Sequence, residues 1–233
     1  MASRARTSER RAEALSRERI IGAAVELLDA AGEGGLTFRA LTERLATGPG
    51  AIYWHVANKS DLLDAATDAV VAAALAEGPA GPPKSPQEGI RAIALGLFDA
   101  IDAHPWLATQ LAVQLSRGPS RPVAPRILES IGRQVSALGV PVSGRFTAAS
   151  ALMHHILGAA GQNAVNGLAA GPGADRAEVL DAASRAWKEL DPDAYPFIRS
   201  VADRMRVHDD REEFLAGITL ILAGIAAVHP RTG

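Results

Sequence analysis

The chain has 233 residues, 48% hydrophobic and 21% charged, with 24 Lys and Arg against 26 Asp and Glu and no cysteine. That length supports one large or two modest domains with a sizeable core, and the lack of cysteine excludes a disulfide framework, a thiolate metal site and a cysteine nucleophile, so a reducing cytoplasm is the expected compartment. The net charge of -2 carries none of the basic surplus common in nucleic-acid binders.

Any case for DNA binding must therefore rest on local placement. Residues 1–64 hold nine basic residues, Arg4, Arg6, Arg10, Arg11, Arg17, Arg19, Arg39, Arg44 and Lys59, against nine acidic ones. The first nineteen residues have no apolar core of a secretory signal. Arg4, Arg6, Arg10 and Arg11 suit a basic arm over phosphates or in the minor groove, with a solvated tail as the equal alternative. A helix is predicted from about Ser16 to Ala31, with Ile20, Ile21, Ala24, Leu27 and Leu28 inward and Gly32 just past its end.

Leu36 to Asp64 is the stretch around which the rest is organised. Thr37 suits an N-cap, and Phe38, Leu41 and Leu45 give a two-turn amphipathic helix. Ala46-Thr47-Gly48 makes a turn, and Pro49 opens a second short helix, where its missing N–H is no loss. Two short helices joined in this way form a helix-turn-helix, whose second helix lies in the major groove of DNA. On that helix only Ile52 and Val56 are clear core anchors. Tyr53, Trp54 and His55 are left to face elsewhere, and three exposed rings side by side are costly unless a partner covers them. Their polar tips suit phosphate oxygens and their flat faces sugars or a thymine methyl, while Gly50 and Ala51 let the backbone approach the groove floor. The competing reading makes Tyr53 and Trp54 core aromatics at a helix crossing.

Leu36-Thr37-x-Arg39-x-Leu41, followed by Pro49-Gly50-Ala51-Ile52-Tyr53-Trp54-His55-Val56-x-Asn58-Lys59 and Leu62-Leu63, resembles the DNA-binding domain of the TetR family of transcriptional regulators, closest to the tetracycline-repressor branch. The resemblance implies that Arg39 reaches a base edge or phosphate, that Pro49, Gly50, Ala51, Tyr53, Trp54 and His55 form the groove surface, that Lys59 holds a phosphate, and that Thr37 caps the helix beside the DNA backbone. Two positions depart from the family pattern. Ala46 stands where Gly is usual and Gly48 where Ser or Gln is common, so the operator sequence does not carry over.

Asn58 or Ser60 suits the cap of a fourth helix that carries Leu62, Leu63, Ala66 and Val70 inward and ends near Gly78. Beyond the Gly78 to Pro83 punctuation, Ser85-Pro86-Gln87-Glu88 is a capping box, and its helix is expected to end before His104-Pro105. Further helices are predicted at Trp106 to Ser116, Ile127 to Leu138, Phe146 to Leu168, Asp175 to Leu190, Phe197 to Val207 and, capped by Asp210, on to Val228, with Arg117 to Pro125 a loop. No strand pattern occurs. The expected fold is all-α: residues 1–64 a three-helix DNA-binding domain, joined by the fourth helix to a helical ligand-binding and dimerisation domain over 65–233.

No charge lies between Arg145 and Asp175, and Phe214 to Val228 is apolar or small all round. Helices without a polar face must be covered on every side. Leu215 to Val228 is too short to span a membrane, and the longer run carries Ser, His, Gln and Asn, so no membrane is expected and a four-helix interface between two protomers is. A dimer also matches a palindromic operator, since one short helix reads few bases.

His154, Gln162, His104, Trp106, Gln110 and Gln114 are candidates to line a mostly apolar pocket for a small-molecule effector, against the alternative of interface and core contacts. In the tetracycline branch a histidine after the sixth helix helps ligate drug-bound magnesium. Arg117 to Pro125 offers none, so neither that ligand nor any metal or cofactor is implied. No catalytic constellation is present, and no enzyme is expected. The expected function is a homodimeric regulator, a repressor released from DNA by its effector. The alternatives are a DNA-binding regulator without an effector and a helical small-molecule-binding protein.

Overall fold

The computed structural model describes residues 15–76, 83–116, 122–171, 173 and 175–230. The basic arm at Arg4 to Arg11 lies outside them. Among the described residues all regular structure is helical: α1 (Arg17–Gly35), α2 (Phe38–Leu45), α3 (Pro49–Tyr53), α4 (Lys59–Ala76), α5 (Pro86–Ala103), α6 (Trp106–Ser116), α7 (Val123–Ala137), α8 (Val142–Ala170), α9 (Arg176–Glu189), α10 (Pro196–Val201), a 3-10 turn (Ala202–Val207) and α11 (Asp210–Val228). The chain divides into two compact units, residues 1–77 with 106–126, and residues 78–105 with 127–233. None of the described helices is long and apolar enough to cross a membrane.

In the first unit α1, α2 and α4 are each started by a capping side chain, and the unit is held by a few large apolar residues. Ser16 Oγ accepts from the Arg19 N–H at 3.2 Å and Thr37 Oγ1 from the Ala40 N–H at 3.0 Å, satisfying donors that have no partner inside their helices. Asn58 Oδ1 accepts from the Asp61 N–H at 2.9 Å, which makes Asn58 the cap of α4. Gly32, at φ 62° and ψ -165°, breaks the helical path of α1 after Ala31. Ile20, Ala24 and Leu28 of α1 pack with Leu36, Leu41, Ile52, Val56, Leu62 and Ala66, so one core fixes the angle between α2 and α3. α6 packs on α1 and α4.

In the second unit α8 lies against α5 and α11, and α9 against the 3-10 turn. Leu97, Phe98 and Ile101 of α5, Leu152 and Ile156 of α8, and Phe214 and Ile218 of α11 are buried. His155 ties two of these helices together. Its Nε2 lies 3.1 Å from the Phe214 carbonyl oxygen, its ring stacks on the Phe214 ring at 5.6 Å, and a methyl added at Gly217 would overlap it.

Three of the boundaries that differ from the sequence pattern are helix starts. α7 starts at Val123, four residues before the expected Ile127, because Pro125 falls in the first turn, where its missing N–H removes no helical bond. α8 starts at Val142 rather than Phe146, straight after Pro141. The cap of α11 is Asp209, whose carboxylate accepts from the Glu212 N–H at 2.8 Å, and not Asp210, which pairs with Arg176 and His208.

Candidate nucleic-acid interface

The turn between α2 and α3 depends on Ala46, at φ 49° and ψ 45° the only non-glycine residue with positive φ among the described residues. Its N–H reaches the Glu43 carbonyl at 3.4 Å and the Thr47 N–H reaches that of Thr42 at 3.1 Å, closing α2 within one residue. Gly48 then leads extended into Pro49. The N–H groups of His55 and Val56 bond to the Ile52 carbonyl at 2.9 and 3.2 Å, so the backbone coils on past Tyr53.

With Ile52 and Val56 buried, the other side of this turn and a half is open. Pro49 and Gly50 are exposed, Ala51 is half-buried, and nothing lies within 4 Å of a methyl built on Gly50, so no packing within the chain demands a glycine there. Tyr53 is 53% exposed and Trp54 90%, with His55 half-buried beside them. Tyr53 stacks on Phe38 of α2, ring centroids 4.6 Å apart and planes 17° apart. One face of the phenol is thus fixed by the preceding helix, which limits the rotamer entropy that a contact with a partner would cost. Spacing alone reads Phe38 as core, and its service as the platform for Tyr53 has no local signal.

The cations at the edges of this surface are already oriented. Arg39 Nε lies 2.9 Å from Glu43 Oε1, one turn along α2, and both side chains are well exposed. Lys59 Nζ donates to the Glu33 carbonyl at 2.7 Å, leaving two further N–H bonds for an anion. Glu18, at the start of α1, has its carboxyl held below the usual range, first by its own backbone N–H and then by the Ser16 hydroxyl.

The six residues considered for an effector pocket fall in different places. Trp106, Gln110 and Gln114 share α6. Trp106 Nε1 donates to Asp29 Oδ1 at 2.7 Å and Gln110 Nε2 to Glu33 Oε2 at 3.1 Å, so α6 is fastened to α1, while Gln114 is buried. The other three belong to the second unit. The backbone N–H of His104 closes α5 on the Ala100 carbonyl, His154 is exposed on α8, and Gln162 is exposed and donates to Asn166 at 2.9 Å. The second unit also holds an open cavity of about 550 Å³ among Phe98, Asp102, Asn163, Leu168, Arg176 and Asp209, and none of the six lies in its wall. No group of three or more His, Asp or Glu converges as a metal site among the described residues.

A helix-turn-helix on a three-helix core, with a bare aromatic ridge and oriented cations, joined to an apolar helical unit, defines a DNA-binding transcriptional regulator of the all-α class. Residues 20–66 match the family described as bacterial regulatory proteins, tetR family. The solved structure of the transcriptional regulator SCO7222, a TetR from Streptomyces coelicolor, is 68% identical, covers 92% of this chain and 99% of that one, and superposes with a TM-score of 0.84. The chain belongs to the TetR family of transcriptional regulators. A Saccharopolyspora erythraea HTH-type transcriptional regulator is 31% identical over 151 residues, 65% of this chain and 62% of that protein, so the match spans less than two thirds of the relative's length. Class C tetracycline repressor protein from Escherichia coli is 49% identical over 57 residues, 24% of this chain and 26% of that one. The Streptomyces coelicolor protein ActR, solved with actinorhodin, shares the fold at 24% identity, TM-score 0.75, over 94% of this chain and 99% of that one.

Proposed function

We propose that the protein is a cytoplasmic, homodimeric, non-enzymatic repressor that binds palindromic operator DNA through Thr37, Arg39, Pro49, Gly50, Ala51, Tyr53, Trp54, His55 and Lys59, and that a small-molecule effector releases it. The observation that carries the reading is Trp54, left 90% exposed beside Tyr53 on a helix whose other side is sealed. A solvent-facing indole contributes nothing to folding, whereas against a duplex its N–H and face both find partners. The exposed apolar residues of α8 and α11, among them Phe146, Val165 and Leu220, support a second copy as the cover for those helices.

Release requires an effector that binds one state of the protein better than the DNA-bound state, and the operator then loses affinity by the same factor. α6 is suited to carry that coupling. Trp106 and Gln110 bind Asp29 and Glu33 of α1, and the Glu33 carbonyl also holds Lys59, a proposed phosphate contact. A movement of α6 therefore pulls on the end of α1 that orients Lys59. The ActR complex with actinorhodin supports the view that this fold accommodates such an effector.

The test is fluorescence anisotropy on the DNA upstream of the chain's own gene, with Trp54→Ala and Arg39→Ala beside the wild type. Trp54→Ala leaves the melting temperature unchanged and lowers operator affinity about tenfold, in the range of about 1–3 kcal/mol for a base or groove contact. Arg39→Ala weakens binding and reduces its salt dependence. Wild-type affinity in both variants, with the dimer intact by sedimentation, overturns the assignment of this surface.

A further inference from the structure

We infer that Gln114 is the polar anchor of the effector site, and that the effector presents to it a neutral amide-type edge, a carbonyl beside an N–H, on an otherwise apolar body. This rests on the effector reading above. Gln114 is 1% exposed, and neither its amide nitrogen nor its amide oxygen has a hydrogen-bond partner. Buried polar groups in folded proteins are almost always paired, because each one left bare costs the whole of its lost hydration. Among the described residues the only other buried side-chain atom in this position is the Ser184 hydroxyl. The Ser184 hydroxyl leaves one donor and its lone pairs bare, whereas a carboxamide carries two donors and two acceptor sites, the larger unmet demand.

The neighbourhood along α6 defines the chemistry further. Leu107, Gln110, Leu111 and Gln114 form its buried stripe, and from Trp106 to Ser116 the helix carries no charged residue. Gln110 has its partner in Glu33, so the unmet demand sits at Gln114. Both polar atoms of a carboxamide are engaged at once by another planar group whose acceptor and donor flank one carbon: one side-chain N–H donates to the ligand's carbonyl while the side-chain carbonyl accepts the ligand's N–H. Lactams, imides and primary or cis-secondary amides have that edge. A carboxylate would bring an ion into a stripe that supplies no cation, at the desolvation cost such burial carries.

The experiment uses the full-length protein and the probes benzamide, acetophenone and ethylbenzene at about 10 mM, which carry a donor and acceptor, an acceptor alone, and neither. Thermal unfolding of the wild type is compared with Gln114→Met, a near volume match. Without probe, Gln114→Met raises the melting temperature by about 2–6 °C, since it removes bare polar atoms and no bond. Benzamide then raises the wild-type melting temperature by about 2–4 °C, acetophenone by less and ethylbenzene least, and the order disappears in Gln114→Met. A lower melting temperature in Gln114→Met overturns the inference, because the amide then has a partner within the folded protein, such as a bound water. Equal shifts by the three probes in both proteins, or none by any, also overturn it. Anisotropy on operator DNA is read in parallel. Loss of DNA binding by the wild type counts against the regulator reading alone, and the thermal shifts still decide the role of Gln114.

Discussion

Ala46 holds the left-handed conformation that closes α2, and its Cβ pays for that in crowding against the following carbonyl. The strain of an alanine there is about 1–2 kcal/mol, against which glycine loses about 0.5–1 kcal/mol more backbone entropy on folding. Ala46→Gly should therefore stabilise the protein by about 0.5–1 kcal/mol, seen as a higher urea midpoint at unchanged slope. A lower midpoint would mean that the stiffness of alanine is worth more than its strain. At this scale the sequence was informative wherever a residue acts on its own neighbours. Thr37 as a cap, Pro49 as a helix opener and Ile52 and Val56 as anchors all follow from local spacing. The partners of the exposed residues do not. Phe38 beneath Tyr53 and Glu33 beneath Lys59 are contacts across fifteen and twenty-six positions, which exist only once the turn geometry has brought the helices together.

Helices were legible where a side chain marks the start, as at Ser85 and Asp175, whose oxygens accept from the N–H groups of Glu88 and Ala177. They were less so where backbone alone decides. Phe197 to Val207 reads as one short helix, yet it divides into α10 and a 3-10 turn, with the Arg199 guanidinium bonded to the Leu190 carbonyl at 2.7 Å. The adjacent histidines on α8 face different surroundings. His154 is exposed and His155 is the clasp on α11. That clasp needs Gly217, the point where the imidazole ring meets the helix backbone. Gly217→Ala must displace a ring held by both a hydrogen bond and a stack on Phe214, so the gain in helix propensity is outweighed. The expected outcome is a loss of about 1–3 kcal/mol, read as a fall of several degrees in melting temperature. His155→Ala in the same background should recover part of it, because the overlap is then gone.

At the scale of the molecule, the packing groups α6 with α1 and α4 although α5 intervenes in the chain, a grouping that no local pattern announces. The uncharged run from Arg145 to Asp175 was legible in the sequence, and α8, which it forms, exposes Phe146, Val165 and Leu168, the faces for which a second copy is proposed above as the cover. Leu220 is the sharpest probe of what covers them. It is 74% exposed on α11, so a charge placed there costs the single chain nothing and would be tolerated by any protein that works alone. In a two-fold dimer through α8 and α11 the same charge is buried twice, once per protomer, against apolar neighbours that offer no counter-ion. Burying an unpaired carboxylate costs several kcal/mol, enough to separate protomers at micromolar concentration. Leu220→Glu is therefore expected to sediment as a folded monomer with an unchanged circular dichroism spectrum. It should also lose operator affinity by at least tenfold, since one reading head alone contacts half of a palindrome. A Leu220→Glu protein that remains dimeric and binds DNA as the wild type does would place the contact between copies on some other face.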